Sequence, residues 1–200
     1  MTNSLSVDIC VIGAGAGGLS VAAGASQMGA SVALVESGKM GGDCLNYGCV
    51  PSKAMLAAGH AAEAVRHAGR FGAGTQDPAI DAGGVYGHIH GAIKAIEPND
   101  SVERFEGMGV TVIRGHARFT GPRNLEVETG DGATVIAARR FVIATGSHPF
   151  VPPIPGLDGI DYHTNESVFQ GPDLPDHLIV IGGGPVGIEM AQAHRHLGVR

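Results

Sequence analysis

A glycine triplet that follows an apolar run and opens a helix permits very few folds, and this chain carries the pattern twice. Val7 to Ile12 reads as a buried strand, Gly13-x-Gly15-x-x-Gly18 follows it, and Leu19 to Met28 continues as an alanine-rich helix. Glycine tolerates positive φ and lets backbone approach backbone, so the triplet marks a tight strand-to-helix turn. Ser31 to Val35 reads as a second strand, which completes the opening of a βαβ unit. Ala22, Ala23, Gly24 and Ala25 give its helix small residues to turn toward a sheet, and Gly29 is placed to end it. The pattern returns as a strand over Leu178 to Ile181, the turn Gly182-x-Gly184-x-x-Gly187 and a helix from Ile188 to about Leu197. The second copy stops at Arg200, before its next strand, so the chain is expected to be a fragment of a longer protein.

Between the copies, Pro51 and Ser52 introduce a predicted helix from Lys53 to about His67, and a glycine-rich stretch from Gly69 to Gly84 interrupts it. A helix from about Val85 to Ile96 must break or kink at Pro98, which lacks an amide proton. Asp100 or Ser101 can cap a short continuation to Met108, with Asp100 favoured because Glu103 stands at the capping-box spacing. Short runs then follow at Val110 to Arg114, Ala117 to Phe119, Leu125 to Glu128, Val135 to Ala137 and Phe141 to Ala144. Glycine turns separate them, which predicts an antiparallel meander before a return to the parallel sheet. Pro149, Pro152, Pro153 and Pro155 read as a stiff crossing between domains.

Composition removes several function classes. With 200 residues, 44% of them hydrophobic and 16% charged, the chain can bury a sizeable core. A net charge of −6 with no basic run argues against a nucleic-acid partner. No apolar run approaches the roughly 18 residues of a membrane span, and no basic-then-apolar leader precedes Asp8, so no membrane partner and a cytoplasmic location are expected. Three cysteines do not make a secreted disulfide framework. Cys10, inside the first strand, is expected to be buried and inert.

The chemistry concentrates at three places. The amides of Gly13, Gly15 and Gly18 and the helix N-terminus can hold a pyrophosphate, and Glu36, ending the second strand, can accept hydrogen bonds from adenosine ribose hydroxyls. Together they indicate a dinucleotide site. Gly182, Gly184 and Gly187 repeat the turn, so two cofactors could exchange electrons. The third place is Gly41-Gly42-Asp43-Cys44-Leu45-Asn46-Tyr47-Gly48-Cys49-Val50-Pro51-Ser52-Lys53. A regular helix would set Cys44 and Cys49 about 140° apart around its axis, so it cannot join them. Gly48 and Pro51 let the backbone distort near a helix start, where a disulfide could close and the helix dipole would favour a thiolate after reduction. A zinc site would want closer cysteine pairs and four ligands, and the histidines are scattered singly, so no metal is expected. A purely structural disulfide would gain little from so short a loop.

Gly13 to Gly18, Glu36, the Cys44 to Lys53 segment, Ala144-Thr145-Gly146-Ser147 and the second turn with Glu189 together resemble the class I flavoprotein disulfide reductases. This group contains dihydrolipoamide dehydrogenase, glutathione reductase and mercuric reductase. The resemblance implies an α/β chain: a Rossmann-like FAD-binding domain over 1–150, a parallel sheet with an inserted antiparallel meander, then a crossover and the start of a second Rossmann-like, NAD(P)-binding domain over 151–200. It implies FAD and NAD or NADP as cofactors, a Cys44–Cys49 redox disulfide and a small dithiol, disulfide or metal-ion substrate. A C-terminal domain, absent here, would supply a His-Glu base and a homodimer interface.

Residue by residue, Cys49 would lie against the flavin and Cys44 would meet substrate. Lys53 and Glu189 would pair beside the flavin ring. Gly41, Gly42 and Asp43 would approach the FAD phosphates or ribose, Ala117 the adenine end through its backbone, and Thr145, Gly146 and Ser147 would pass close to FAD. His194 and His196 are expected on a surface helix with no catalytic role. Asp43 replaces the threonine common in the group, Ser52 is like the lipoamide and mercuric enzymes, and Tyr47 replaces a small apolar residue. Dihydrolipoamide oxidation and mercuric-ion reduction both stay open, as does a non-catalytic module that holds FAD as a structural ligand or redox sensor.

Overall fold

A computed structural model describes residues 3–74, 76–130 and 132–200. Along the chain run β1 Asn3–Ile12, α1 Ala16–Gln27, β2 Val32–Glu36, α2 Gly42–Asn46, α3 Cys49–Arg66 and α4 Ala82–Ile96. Then come α5 Val102–Gly107, β3 Val110–Arg114, β4 His116–Gly121, β5 Asn124–Thr129, β6 Gly132–Ile143 and α6 Pro185–His196. These form two compact units, one from the chain up to Asn46 with Ile96–His148, the other from Tyr47–Ala95 with Pro149–Arg200.

The first unit is built on one six-stranded sheet in the order β3-β2-β1-β6-β5-β4. β3, β2, β1 and β6 run parallel, while β6, β5 and β4 pair antiparallel. Its parallel strands are apolar on both faces because both are covered. Val11, Val32, Leu34 and Val110 pack against Leu19 and Ala22 of α1 and Phe105 of α5. On the other face Val7, Cys10, Ala33 and Val35 meet Leu125, Val127 and Ile136 of the antiparallel arm. The small residues Ala14 and Ala22 are fully buried, as the close helix-on-sheet approach requires.

β6 was expected as two strands but is one. Arg139 and Arg140 look like a break in the sequence, yet they sit on a 12-residue strand whose two ends serve different partners. Residues 132–137 pair with β5, and residues 134–143 pair with β1. The polar pair is tolerated because it is exposed and Arg139 reaches Asp8 at 3.0 Å. A second correction concerns α5. Its cap is Ser101, whose hydroxyl accepts from Arg104 N at 3.2 Å, not Asp100. Because the helix starts at Val102, Glu103 falls one position short of the capping-box place, and Asp100 lies in the preceding 3-10 turn.

In the second unit α3, α4 and α6 enclose Met55, Tyr86, Ile89, Phe169, Met190, Ala193 and Leu197. α3 begins at Cys49 rather than at Lys53, with Pro51 inside its first turn, where a missing amide proton leaves no bond unmade. α3 and α6 approach closely at Gly59, where a Cβ would stand 3.1 Å from the Ala193 carbonyl and from His196 Cβ. The strand expected over Leu178 to Ile181 does not form. A strand needs a ladder, and the segment has only Leu178 N donating to Arg200 O at 2.9 Å, while Ile179 and Ile181 stay largely exposed. Among the described residues no helix is long and apolar enough to cross a membrane.

Phe105, 1% exposed, closes the cluster between the sheet and its helices. Phe105→Ala should lower the unfolding free energy by about 3–5 kcal/mol, read from urea denaturation.

Candidate functional site

The first turn is fixed by contacts that only glycine allows. Gly13 has φ +104°, and its amide donates to Val35 O at 2.8 Å. A Cβ on it would run into the Ala144 carbonyl, and a Cβ on Gly18 would run into the carbonyl of Gly13. Ala144 N in turn donates to Ile12 O at 2.8 Å, so the end of β6 is tied to the start of the turn. Gly15 is the N-cap of α1, extended at φ −81° and ψ −178°, and it pairs with Gly41 in a parallel bridge.

Glu36 organises the same place. Its Oε2 accepts from Ala14 N at 2.6 Å and its Oε1 from Gly38 N at 2.5 Å. Each carboxylate oxygen has two acceptor positions, so one on each stays available for a ribose hydroxyl. Arg114 of β3 donates to the Gly38 carbonyl and steadies the segment after β2. A Cβ at Gly15 would meet nothing nearer than Gly42 Cα at 3.8 Å, and one at Gly17 would meet nothing within 4 Å. Open space therefore lies over the N-terminus of a 12-residue helix, with a carboxylate at the neighbouring strand end. That set of donors and acceptors fits the pyrophosphate and adenosine ribose of a dinucleotide such as FAD.

The cysteine segment starts from the same turn. Gly41 and Gly42 both take positive φ, +82° and +54°, and Gly41 N donates to Ala14 O at 2.9 Å. A Cβ on Gly42 would stand 2.6 Å from Gly15 Cα. α2 follows, carrying Asp43 in its first turn and Cys44, which is half-buried. Leu45, 2% exposed, anchors this short helix, and Asn46 Nδ2 clamps it by donating to Met40 O at 3.0 Å and Gly42 O at 2.8 Å. Sequence reasoning passed over Asn46, although an amide four residues after a glycine start was a signal for such a clamp.

The helix breaks at Tyr47 and Gly48, with Gly48 at φ −124° and ψ −112°. Cys49 then opens α3 and is exposed. Ser52 N donates to Gly48 O at 3.0 Å and Ser52 Oγ to Cys49 O at 3.3 Å, which holds the first turn of α3 together. The distortion expected between the two cysteines is thus a boundary between two helices, and it is also the boundary between the two units. Cys10 is fully buried, and burial pushes its thiol up to about 11, which leaves it a poor nucleophile.

One turn into α3, Lys53 Nζ lies 2.5 Å from Glu189 Oε2 on α6. The side chains are 60% and 38% exposed, and an ion pair so open to water adds only about 0.2–1 kcal/mol. Stability does not explain it.

The second glycine turn repeats the local geometry of the first. Gly182 has φ +115°, Gly184 caps α6 at φ −76° and ψ 172°, and a Cβ on Gly187 would run into the Gly182 carbonyl. Pro185 occupies the first helical position, which pre-sets its φ. Elsewhere, Ala117 lies on β4 opposite Val127, and Thr145, Gly146 and Ser147 leave the end of β6 with Gly146 at φ +70°.

His194 does not lie on the surface as expected. It is 2% exposed, in helical register with the buried Met190 and Leu197, and its Nδ1 lies 2.8 Å from Met190 O. Burial pushes its imidazole below the ordinary value near 6.5, against the pull of the Met190 carbonyl, and His163 lowers it further.

An α/β chain with two helix-opening glycine turns, the first of them at a strand end, and a cysteine-bearing helix start has the fold of a flavoprotein disulfide oxidoreductase. The chain belongs to the pyridine nucleotide-disulphide oxidoreductase family, whose pattern it matches over residues 7–200. Members of the family use FAD and NAD(P)H. The chain is 40% identical over 198 residues to a mercuric reductase of Streptomyces lividans, covering 96% of this chain and 41% of the relative. It is 35% identical over 202 residues to a dihydrolipoyl dehydrogenase of Halobacterium salinarum, covering 98% and 42%. Among solved structures, a Cu(II) complex of the HOCl-induced flavoprotein disulfide reductase RclA from Escherichia coli superposes with a TM-score of 0.78 at 26% identity, over 100% of this chain and 42% of that one. The chain thus spans about two fifths of the length of these relatives.

Two measurements test this geometry. Gly18→Ala should lose about 1–3 kcal/mol of stability through overpacking against Gly13, whereas Gly17→Ala, with open space around it, should match or exceed the parent. The unfolded chain takes up a proton at His194 as pH falls below about 6.5, while the folded chain resists, so stability is held above that value and falls below it. His194→Leu should shrink the drop in melting temperature between about pH 7.5 and 5.5.

Proposed function

We propose that this chain is the FAD-binding part of an enzyme that passes electrons between NAD(P)H and a dithiol or disulfide substrate, with Cys44 and Cys49 as its redox pair. The observation that carries the reading is the joining of the first glycine turn and Glu36 to the cysteine segment through Gly15, Gly41 and Gly42, with no spacer between them. A dinucleotide held at the turn would have its pyrophosphate within reach of the start of α2. Bound FAD would supply two-electron transfer between the nicotinamide and the cysteines.

In this assignment the residues have separate tasks. Gly13, Gly15 and Gly18 hold the pyrophosphate, Glu36 orients the adenosine ribose, and Asp43 faces the phosphates or ribose. Ala117 meets the adenine end, while Thr145, Gly146 and Ser147 line the flavin side. Cys49 is the cysteine nearer the flavin, and Cys44, one helix earlier, exchanges with substrate as thiolate and disulfide. Lys53, held by Glu189, places a positive charge beside the flavin. Gly182, Gly184 and Gly187 receive the nicotinamide dinucleotide. Residues 1–150 make the FAD domain and 151–200 open the NAD(P) domain, with a C-terminal domain supplying the base and the homodimer interface.

Dihydrolipoamide is the first substrate to test, as Ser52 suits both the lipoamide and the mercuric enzymes, and mercuric ion is the second. The two differ in what they need from further residues. The full-length protein should develop a long-wavelength absorbance band on two-electron reduction that Cys49→Ser abolishes. An unchanged band in that variant would overturn the assignment of Cys49. Steady-state assays with lipoamide, glutathione disulfide and mercuric ion against both nicotinamides then separate the substrates.

A further inference from the structure

Away from the glycine turns, α3 and α6 bring two imidazoles together. His60 of α3 and His196 of α6 have ring centroids 5.6 Å apart, their planes tilted by 51°. His60 is exposed, whereas Nδ1 of His196 is shut off from water and has no hydrogen-bond partner among the described residues. A buried ring nitrogen without a partner is uncommon, because it forgoes the hydrogen bond that water would otherwise make. The two rings are held by the close crossing at Gly59, immediately before His60, so neither helix is free to carry its imidazole away.

We propose that His60 and His196 form a two-histidine site for a borderline divalent first-row cation, separate from the cysteine and flavin chemistry. Zinc–imidazole bonds are about 2.0–2.1 Å, which places each ring centroid roughly 3 Å from the ion and lets two rings share it when their centroids lie up to roughly 6 Å apart. The observed separation falls inside that span. Neutral imidazole suits zinc, nickel and copper, with copper(II) the tightest of these for a given donor set.

The surrounding charges permit a cation. His196 ends α6, and the last carbonyls of a helix carry the negative end of its dipole. The Arg66 guanidinium, which donates to the His196 carbonyl at 2.6 Å, is itself paired with Asp77 at 2.8 Å and Glu63 at 3.2 Å. Glu63 also lies 3.1 Å from His67, the residue that caps the C-terminus of α3. No three histidine, cysteine, aspartate or glutamate side chains converge as a metal cage among the described residues. Water, which reaches the exposed His60 side, completes the coordination, and binding is of moderate strength and exchangeable.

The test is calorimetric titration of the chain with Zn2+ and with Cu2+, in a Cys44→Ser/Cys49→Ser background that removes thiolate ligands. One equivalent should bind, and His60→Ala, an exposed helix position where alanine is well tolerated, should weaken it more than tenfold. Losing a group that only orients a ligand already costs about 10–100-fold in metal affinity. His196→Gln should do the same, while His88→Ala on α4 should change nothing. Equal weakening by His88→Ala, or binding unaffected by His60→Ala, would mean scattered surface histidines and overturn the site, as would the absence of any one-equivalent binding.

Discussion

The contact on which the first unit depends is backbone against backbone, at the point where the Gly13 carbonyl lies under Gly18 and the Ala144 carbonyl lies over Gly13. No side chain fits between them. The tight approach lets α1 begin with only three residues between it and β1, so the amides of the helix N-terminus point out from the end of the sheet. It also draws β6 alongside, and the Gly15–Gly41 bridge then fixes where the cysteine-bearing α2 must start. Electrostatics and local geometry agree there. Free amides collect at one place, and Glu36 answers two of them while keeping acceptor capacity for a ligand.

The second glycine turn shows how far local sequence alone dictates such geometry. α1 and α6 have the same length, nearly the same N-cap dihedrals at Gly15 and Gly184, and the same C-terminal arrangement. Gly29 and Gly198 both follow at positive φ, and the amides of Ala30 and Val199 both reach back to the carbonyl five residues earlier, on Ala25 and on His194. The copies differ where long-range partners matter. β1 has neighbours on both sides and is a strand, whereas Leu178 to Ile181 meets only Arg200 and is not. Turns and caps are local, but a strand is defined by its ladder.

The same distinction explains how much was legible in advance. The helices were legible from glycine and proline near their boundaries, although α1, α3, α4 and α6 each begin three or four residues earlier than expected, and the apolar run of β3 marked its bounds residue for residue. The glycine turns, Glu36 and the cysteine segment were legible because their residue types are chemically constrained. The continuity of β6 was hidden, since the Arg139–Arg140 pair resembles a turn until Asp8 and two different partner strands are in view. The burial of His194 was hidden too, because a polar residue on a helix reads as surface, although it stands in helical register with the buried Met190 and Leu197. Asn46 acts only through carbonyls that its own glycine-rich turn exposes, and no periodicity announces that.

Family membership and the shape of the turn converge on a dinucleotide, and the central claim is that the Glu36 carboxylate and the first glycine turn hold FAD. Titration of the apoprotein with FAD, followed by quenching of flavin fluorescence, measures this directly. The account predicts stoichiometric binding that Glu36→Ala weakens by about 10–100-fold, the worth of hydrogen bonds to a charged group. Undiminished affinity in a folded Glu36→Ala protein would contradict it.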